Sequence, residues 1–314
     1  MAKRVLLSWS SGKDSAWTLH VLRQQRDLEV VGLVTTFNEA ADRVAMHAVR
    51  HALVDAQASA AGLPLWPVLL PWPCSNADYE QRMSAVIGRA RDEGITHVAF
   101  GDLFLEDVRN YRIRQMSGTG IEPLFPLWGT PADTPNLARR MLEGGLRAVL
   151  TCVDPRQLPE PFVGRPYDAA LLADLPPGVD PCGERGEFHT FCFGGPMFAF
   201  EIAVQVGETV SRDGFCFADL VPDTSVVNSH CRNADPVTFA SAHRASGPCP
   251  GGRRRGVRRG ARARRAARVG AHVPSREPVG RPLRGSALPP GARAHGAGRR
   301  AGYEWAIGTI GGPL

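Results

Sequence analysis

Apolar residues gather in short runs divided by polar loops and by segments of helical period. Residues 5–9 form a compact apolar run and predict a buried strand. A small polar loop follows at residues 10–15, and residues 16–25, apolar at 16, 17, 19, 21 and 22, predict a helix. Residues 29–36 (EVVGLVTT) predict a second buried strand. The alanine-rich stretch 42–61 predicts a helix stopped by Gly62 and Pro64. A third strand is expected over 65–70. Asn76 is placed to cap a helix running to Glu93, and a fourth strand follows over 95–100. Beyond it lie an extended stretch at 121–128, a helix over 136–143 and a strand over 146–152. Strand and helix alternate throughout, which argues for a parallel sheet with helices on both faces. Residues 198–206 and 214–220, joined by a polar turn, predict an antiparallel hairpin. The fold class is therefore α/β, with a smaller C-terminal α/β subdomain ending in that hairpin.

Composition sharpens this picture at one end of the chain. Hydrophobic residues make up 43% and charged residues 22% of 314, a balance expected of a globular protein. No run approaches the roughly 20 apolar residues of a membrane helix. The basic-then-apolar start is broken by Ser8, Ser10, Ser11 and Lys13 too early for a signal peptide. The seven cysteines are scattered, odd in number and without a CxxC, which fits a reducing cytoplasm and argues against a disulfide framework or a zinc site. The net charge of +6 conceals a division: residues 1–225 hold 20 basic and 28 acidic side chains, whereas residues 226–314 hold 17 Arg and 3 acids. From 244 to 300 the sequence is Arg, Gly, Ala and Pro, with Glu277 the only acid, so disorder is expected there. Two origins compete for this tail: a basic segment with non-specific affinity for phosphate backbones, or a frameshifted translation of a GC-rich gene. The second is favoured, and nucleic acid is expected to meet the protein, if at all, only through the tail. The expected organisation is residues 1–120, 121–225 and the tail 226–314.

The chemistry begins at residues 10–15. A loop of small residues between a first strand and a helix brings backbone N–H groups and a helix N-terminus around one point, which is an anion site by geometry. Gly12 is expected to supply the positive φ, Ser10, Ser11 and Ser15 hydroxyl donors, and Lys13 a full charge. Leu7 and Asp14 exclude a Walker P-loop, and no GxGxxG is present. A loop that merely caps the helix is the unliganded alternative. Ser10-Ser11-Gly12-Lys13-Asp14-Ser15 resembles the SGGxDS signature of the PP-loop ATP pyrophosphatases, with Ser11 where the common form has Gly. The resemblance implies a Rossmann-like sheet of the adenine-nucleotide alpha-hydrolase (HUP) type and cleavage of ATP between its α and β phosphates. Mg²⁺ is expected with such a polyphosphate, with Asp14 as its carboxylate ligand. Gly101 and Asp102, at the end of the fourth strand, and residues 35–38 including Thr36 fall at the sheet edge where nucleotides bind.

A second constellation, Gly183-Glu184-Arg185-Gly186-Glu187-Phe188-His189-Thr190, suits a tight loop presenting polar groups, although acid-plus-glycine loops are often plain surface turns. With the first loop, with Gly101-Asp102 and with residues 123–128 (PLFPLW), it resembles the GE-x-GEF-H/E-T motif of the diphthine–ammonia ligase family over residues 4 to about 222. That resemblance implies an amide ligase in which a carboxylate attacks ATP to give an acyl-adenylate and pyrophosphate, and ammonia then displaces AMP. It assigns Lys13 and Asp14 to catalysis, Glu184, Gly186, Glu187 and Thr190 to the acceptor, and Glu187 or His189 to the ammonia proton. The GC-rich composition fits a bacterial branch, so the acceptor carboxylate stays open. Two rivals remain: a tRNA-modifying or sulfur-transferring enzyme using Cys74, Cys152, Cys182 or Cys192, and a non-catalytic adenine-nucleotide module. Arg109, Tyr111, Arg112 and Arg114 suit either an anionic ligand or a solvated helix face, and His47 is expected to pack or to hydrogen-bond.

Overall fold

The computed structural model describes residues 2–44 and 47–223. The tail expected over 226–314, with Cys231 and Cys249, lies outside the described residues.

The first sheet is built on β1 (Lys3–Ser8), flanked in parallel by β2 (Leu28–Asn38) and β5 (His97–Ala99). β4 (Leu65–Leu70) pairs in parallel with β2, and β6 (Glu122–Leu124) with β5. The two-residue strand β3 (Arg43–Val44) runs antiparallel to the end of β2 and completes six strands. β1 is apolar without alternation because both faces are covered. Val5 and Leu7 join a cluster with Leu19 and Leu22 of α1 (Lys13–Arg23) and Leu53 and Val54 of α2 (His51–Ala61). Leu6 joins an opposite cluster with Trp66, Val98 and Phe100, Ile87 and Ala90 of α3 (Asn76–Asp92), and Met116 of α4 (Glu106–Met116).

The second sheet is antiparallel, in the order β8 (Phe188–Gly194), β7 (Arg147–Val153), β10 (Phe215–Pro222), β9 (Val204–Arg212). α5 (Thr134–Glu143) leads into it and α6 (Ala169–Asp174) lies between β7 and β8. The β9–β10 hairpin turns through Asp213 and Gly214, both with positive φ (51° and 79°), the Asp-Gly turn that matches strand twist. Among the described residues no helix is long and apolar enough to cross a membrane.

Three expectations are corrected. The helix expected over 42–61 exists only from His51; before it, Val44 pairs with Phe37 of β2, and Asp42 and Ala48 turn through left-handed conformations (φ 50° and 53°). Arg43 and Arg50, on either side of that turn, both bind Asp219 of β10, at 2.9 and 2.5 Å, so tertiary pairing overrides the alanine propensity. The strand expected at 146–152 is β7, which belongs to the second sheet rather than continuing the parallel one; an apolar run does not encode which edge it will meet. Finally, Ser75 rather than Asn76 caps α3, in a capping box with Asp78.

Candidate functional site

The loop of residues 10–15 leaves the C-terminal end of the central strand β1 and enters α1 at Lys13. Its left-handed residue is Ser11 (φ 70°), while Gly12 is extended (φ −83°, ψ 174°), so the expected positive φ at Gly12 falls one residue earlier. Ser11 is fully buried and its Oγ has no partner. Hydroxyls brace the turn from within: Ser15 Oγ donates to the Gly12 carbonyl at 3.0 Å, and Ser10 Oγ lies 3.3 Å from Ser15 Oγ.

Outside contacts fix the loop more firmly. The Ser11 carbonyl accepts from Cys192 N of β8 and from Gln57 Nε2 of α2, each at 2.9 Å. Gln57 is fully buried; its Nε2 also donates to the Cys192 carbonyl (2.6 Å), and its Oε1 accepts from Trp9 Nε1 (2.8 Å). Thr190 Oγ1 accepts from Lys13 N at 3.1 Å. The second sheet is thus stitched to the loop through β8. At the far side, a Cβ on Gly101 would lie 3.0–3.2 Å from the backbone of Asp14 and Ser15, so the absence of a side chain lets the start of α1 approach the end of β5.

Lys13 does not extend toward an open anion site. Its side chain is buried, its ammonium donates to Asp14 Oδ2 (2.9 Å) and to the Cys182 carbonyl, and it lies 5.5 and 5.3 Å from the ring centroids of Tyr167 and Phe188. Burial pulls the ammonium toward neutrality, but Asp14, Cys182 and Glu184 together more than offset it and the pKa ends above the ordinary lysine value. Asp14 Oδ1 is buried without a partner, whereas the buried Asp102 Oδ2 makes no hydrogen bond but is ion-paired with Arg112 Nε at 3.6 Å. Burial raises the Asp102 pKa, and Arg112 only partly reverses it.

The 183–190 segment is half loop and half strand. Gly183 and Gly186 (φ 68° and 83°) make the turn, and β8 begins at Phe188. Glu184 Oε1 accepts from Leu103 N at 2.8 Å, tying this turn to the residues after β5. Burial, then Asp14, pushes its pKa up to about 8. Glu187 is buried with both oxygens engaged inside its own loop, Oε1 by Asp180 N and Oε2 by Arg185 N, each at 2.9 Å. Asp180 in turn accepts from Cys182 N and Thr134 Oγ1, both at 2.8 Å. His189 stacks on His47 with ring centroids 4.6 Å apart. Thr36 sits on β2 in register with Val68, and its neighbour Thr35 donates to the Trp9 carbonyl at 2.8 Å.

The structure therefore brings together residues 10–15, Gly101, Asp102, Glu184, His189 and Thr190 at one end of the first sheet. Gln57, Tyr167, Asp180 and His47 complete the setting without having been singled out as site residues. Gln57 left a legible trace as a polar residue on the α2 stripe that buries Leu53, Val54, Ala58 and Ala61, and His47 as a residue expected to pack or to hydrogen-bond. Cys152, Cys182 and Cys192 are buried with thiols pushed up by burial, the latter two to about 12. Burial thus disfavours the thiolate at these three cysteines, and it raises the half-buried Cys74 as well.

Known protein families match two consecutive stretches of the chain. The model of the diphthamide synthase N-terminal domain matches residues 3–119, and that of the diphthamide synthase C-terminal domain matches residues 133–220. A diphthine–ammonia ligase of Bos taurus is 24% identical over 268 residues, covering 74% of this chain and 98% of the relative. That of Danio rerio is 27% identical over 236 residues (68% and 91%), and that of Homo sapiens 24% over 237 (68% and 88%). With consecutive matches to both domains, and relatives aligned across nearly their whole length, this chain belongs to the diphthamide synthase (diphthine–ammonia ligase) family.

Proposed function

We propose that this protein is an ATP-dependent amide ligase that forms a carbon–nitrogen bond, releasing AMP and pyrophosphate and taking ammonia as the nitrogen donor. The observation that carries this is the stitching of β8 to the loop of residues 10–15, through Cys192, Thr190 and Gln57. It sets the acceptor motif beside the loop suited to phosphate, as a two-step transfer needs. Residues 1–120 hold the nucleotide and residues 121–225 the acceptor in this reading. Diphthine, the substrate in the relatives' name, is the first acceptor to try.

Backbone N–H groups of the loop and the N-terminus of α1 stabilise charge on the departing pyrophosphate. The partnerless buried Oδ1 of Asp14 fits a Mg²⁺ ion, which favours one or two carboxylates plus phosphate oxygens, and Asp102, ion-paired to Arg112, is the second carboxylate nearby. When bound, the ion would neutralise polyphosphate charge. Lys13 acts from behind the loop, joining α1 to the Cys182 carbonyl. Glu187 holds the acceptor loop in shape through Asp180 N and Arg185 N. Glu184, with a pKa near 8, is the group matched to receive the proton that ammonium loses before attack. Gly186, whose missing side chain leaves open space, and Thr190 complete the acceptor side.

Incubation with ATP, Mg²⁺, ammonium and a diphthine-bearing acceptor tests this reading. AMP and pyrophosphate in equal amounts with an amidated product are expected; ADP and orthophosphate would overturn it.

A further inference from the structure

Two histidines lie beside the phosphate loop without a part in the steps above, His47 against Gly12 and His189 against His47. His47 belongs to the segment between β3 and α2, and His189 to β8. Their rings are tilted by 38° at 4.6 Å, and both side chains are partly exposed. His47 Nδ1 lies 3.3 Å from the Thr190 carbonyl, which only accepts, so Nδ1 carries the hydrogen and Nε2 keeps its lone pair. A Cβ on Gly12 would sit 3.1 Å from His47 Cε1 and 3.2 Å from the Thr190 carbonyl oxygen, so the imidazole touches the apex of the loop.

The charge balance of the loop gives this contact a purpose. A nucleoside triphosphate carries several negative charges, and Lys13, the cation within the loop, is buried and paired with Asp14. Burial lowers the His47 pKa to about 4, helped by Lys13, and burial with His47 and Lys13 takes His189 well below the ordinary histidine value. The charged group that acts on the pair is Lys13, and the Thr190 carbonyl is the polar group bonded to His47. Both rings are neutral in the empty protein, and a phosphate arriving at Gly12 brings the opposite charge that favours protonation.

We propose that His47 and His189 form an imidazole pair that takes up one proton from solvent when a nucleotide's phosphates seat on residues 10–15, supplying the loop with a positive charge only when it is loaded. The first proton opposes the second, so the pair titrates as a unit and holds one charge between two rings. The inference rests on the nucleotide reading of the loop.

The test uses the full chain with ¹⁵N-imidazole-labelled histidine, titrated at pH 7 with α,β-methylene-ATP, which resists cleavage. His47→Gln and His189→Gln assign the two rings by NMR. Two neutral rings are expected in the free protein and one doubly protonated ring at saturation. H47Q should weaken binding about tenfold at pH 6.5 and less than about twofold at pH 8.5, because the proton is the linked ligand. H20Q, on α1 against Trp17, should leave binding unchanged. Saturation with both rings still neutral, or an equal loss in H47Q at both pH values, would overturn the pair's role. Failure of the analogue to bind at any pH would overturn the nucleotide reading, and the pair's role with it.

Discussion

Replacing Gln57 with Leu keeps side-chain volume close to the original and removes three hydrogen bonds that connect α2, the phosphate loop and β8. The Trp9 indole N–H loses its acceptor in a fully buried setting, which costs about 1–3 kcal/mol. The Ser11 and Cys192 carbonyls each lose a donor, about 1 kcal/mol for a neutral bond; the Ser11 carbonyl retains Cys192 N, which softens that loss. The sum is on the order of 3 kcal/mol, a large part of the roughly 5–15 kcal/mol that holds a typical domain folded. Urea unfolding followed by tryptophan fluorescence reads it as a lower midpoint at unchanged slope. Trp9→Phe removes the other partner, and the double mutant should recover about 1 kcal/mol relative to the sum of the singles. Since the same amide pins Ser11, the ATP KM should rise about tenfold, as a 1.4 kcal/mol loosening of the bound loop gives. A Q57L protein within about 0.5 kcal/mol of wild type, additive with W9F and unaltered in KM, would refute the clamp.

Ser11→Gly relieves a left-handed residue, worth about 1–2 kcal/mol, at a backbone-entropy cost of about 0.5–1 kcal/mol, so thermal unfolding should show a small net gain in stability. Gly101→Ala drives a methyl into the first turn of α1, with an expected loss of about 1–3 kcal/mol and weaker ATP binding by calorimetry. Gly183→Ala combines φ 68° with a Cβ 2.8 Å from the Phe188 carbonyl oxygen and should cost more than Gly186→Ala, where the space is open, in the same unfolding assay. Glu184 keeps a proton in the folded state up to about pH 8 and loses it near 4.5 when unfolded, so its contribution to stability declines as pH rises across that window. E184Q should flatten the decline in urea midpoints measured from pH 5 to 8.5, and should remove the rise in kcat toward pH 8.

The sequence displays whatever depends on local pattern. β1 and β2 are legible as apolar runs because the sheet buries both faces, β4 is legible as an apolar run although Pro67 and Leu69 face outward, and the loop at 10–15 is legible because its small residues are contiguous. Residues 42–50 are not, because their turn is set by Arg43 and Arg50 reaching Asp219 across more than 160 positions of chain. The membership of β7 in the second sheet is decided by β8 and β10, later in the sequence. Site chemistry follows the same division. Lys13 announces a cation at the loop, but its direction is fixed by the Cys182 carbonyl and the rings of Tyr167 and Phe188. The two acids of the second motif look alike in sequence. Backbone donors from Asp180 and Arg185 occupy Glu187, whereas Glu184 meets a single N–H from Leu103.

Formation of an acyl-adenylate beside residues 10–15 is most directly tested by following oxygen atoms. A diphthine-bearing acceptor labelled with ¹⁸O in its carboxylate is turned over with unlabelled ATP and ammonium, and the products are weighed by mass spectrometry. One ¹⁸O atom should appear in AMP and none in pyrophosphate. Label confined to pyrophosphate or orthophosphate, or AMP free of it, would contradict activation of the carboxylate at the α phosphorus.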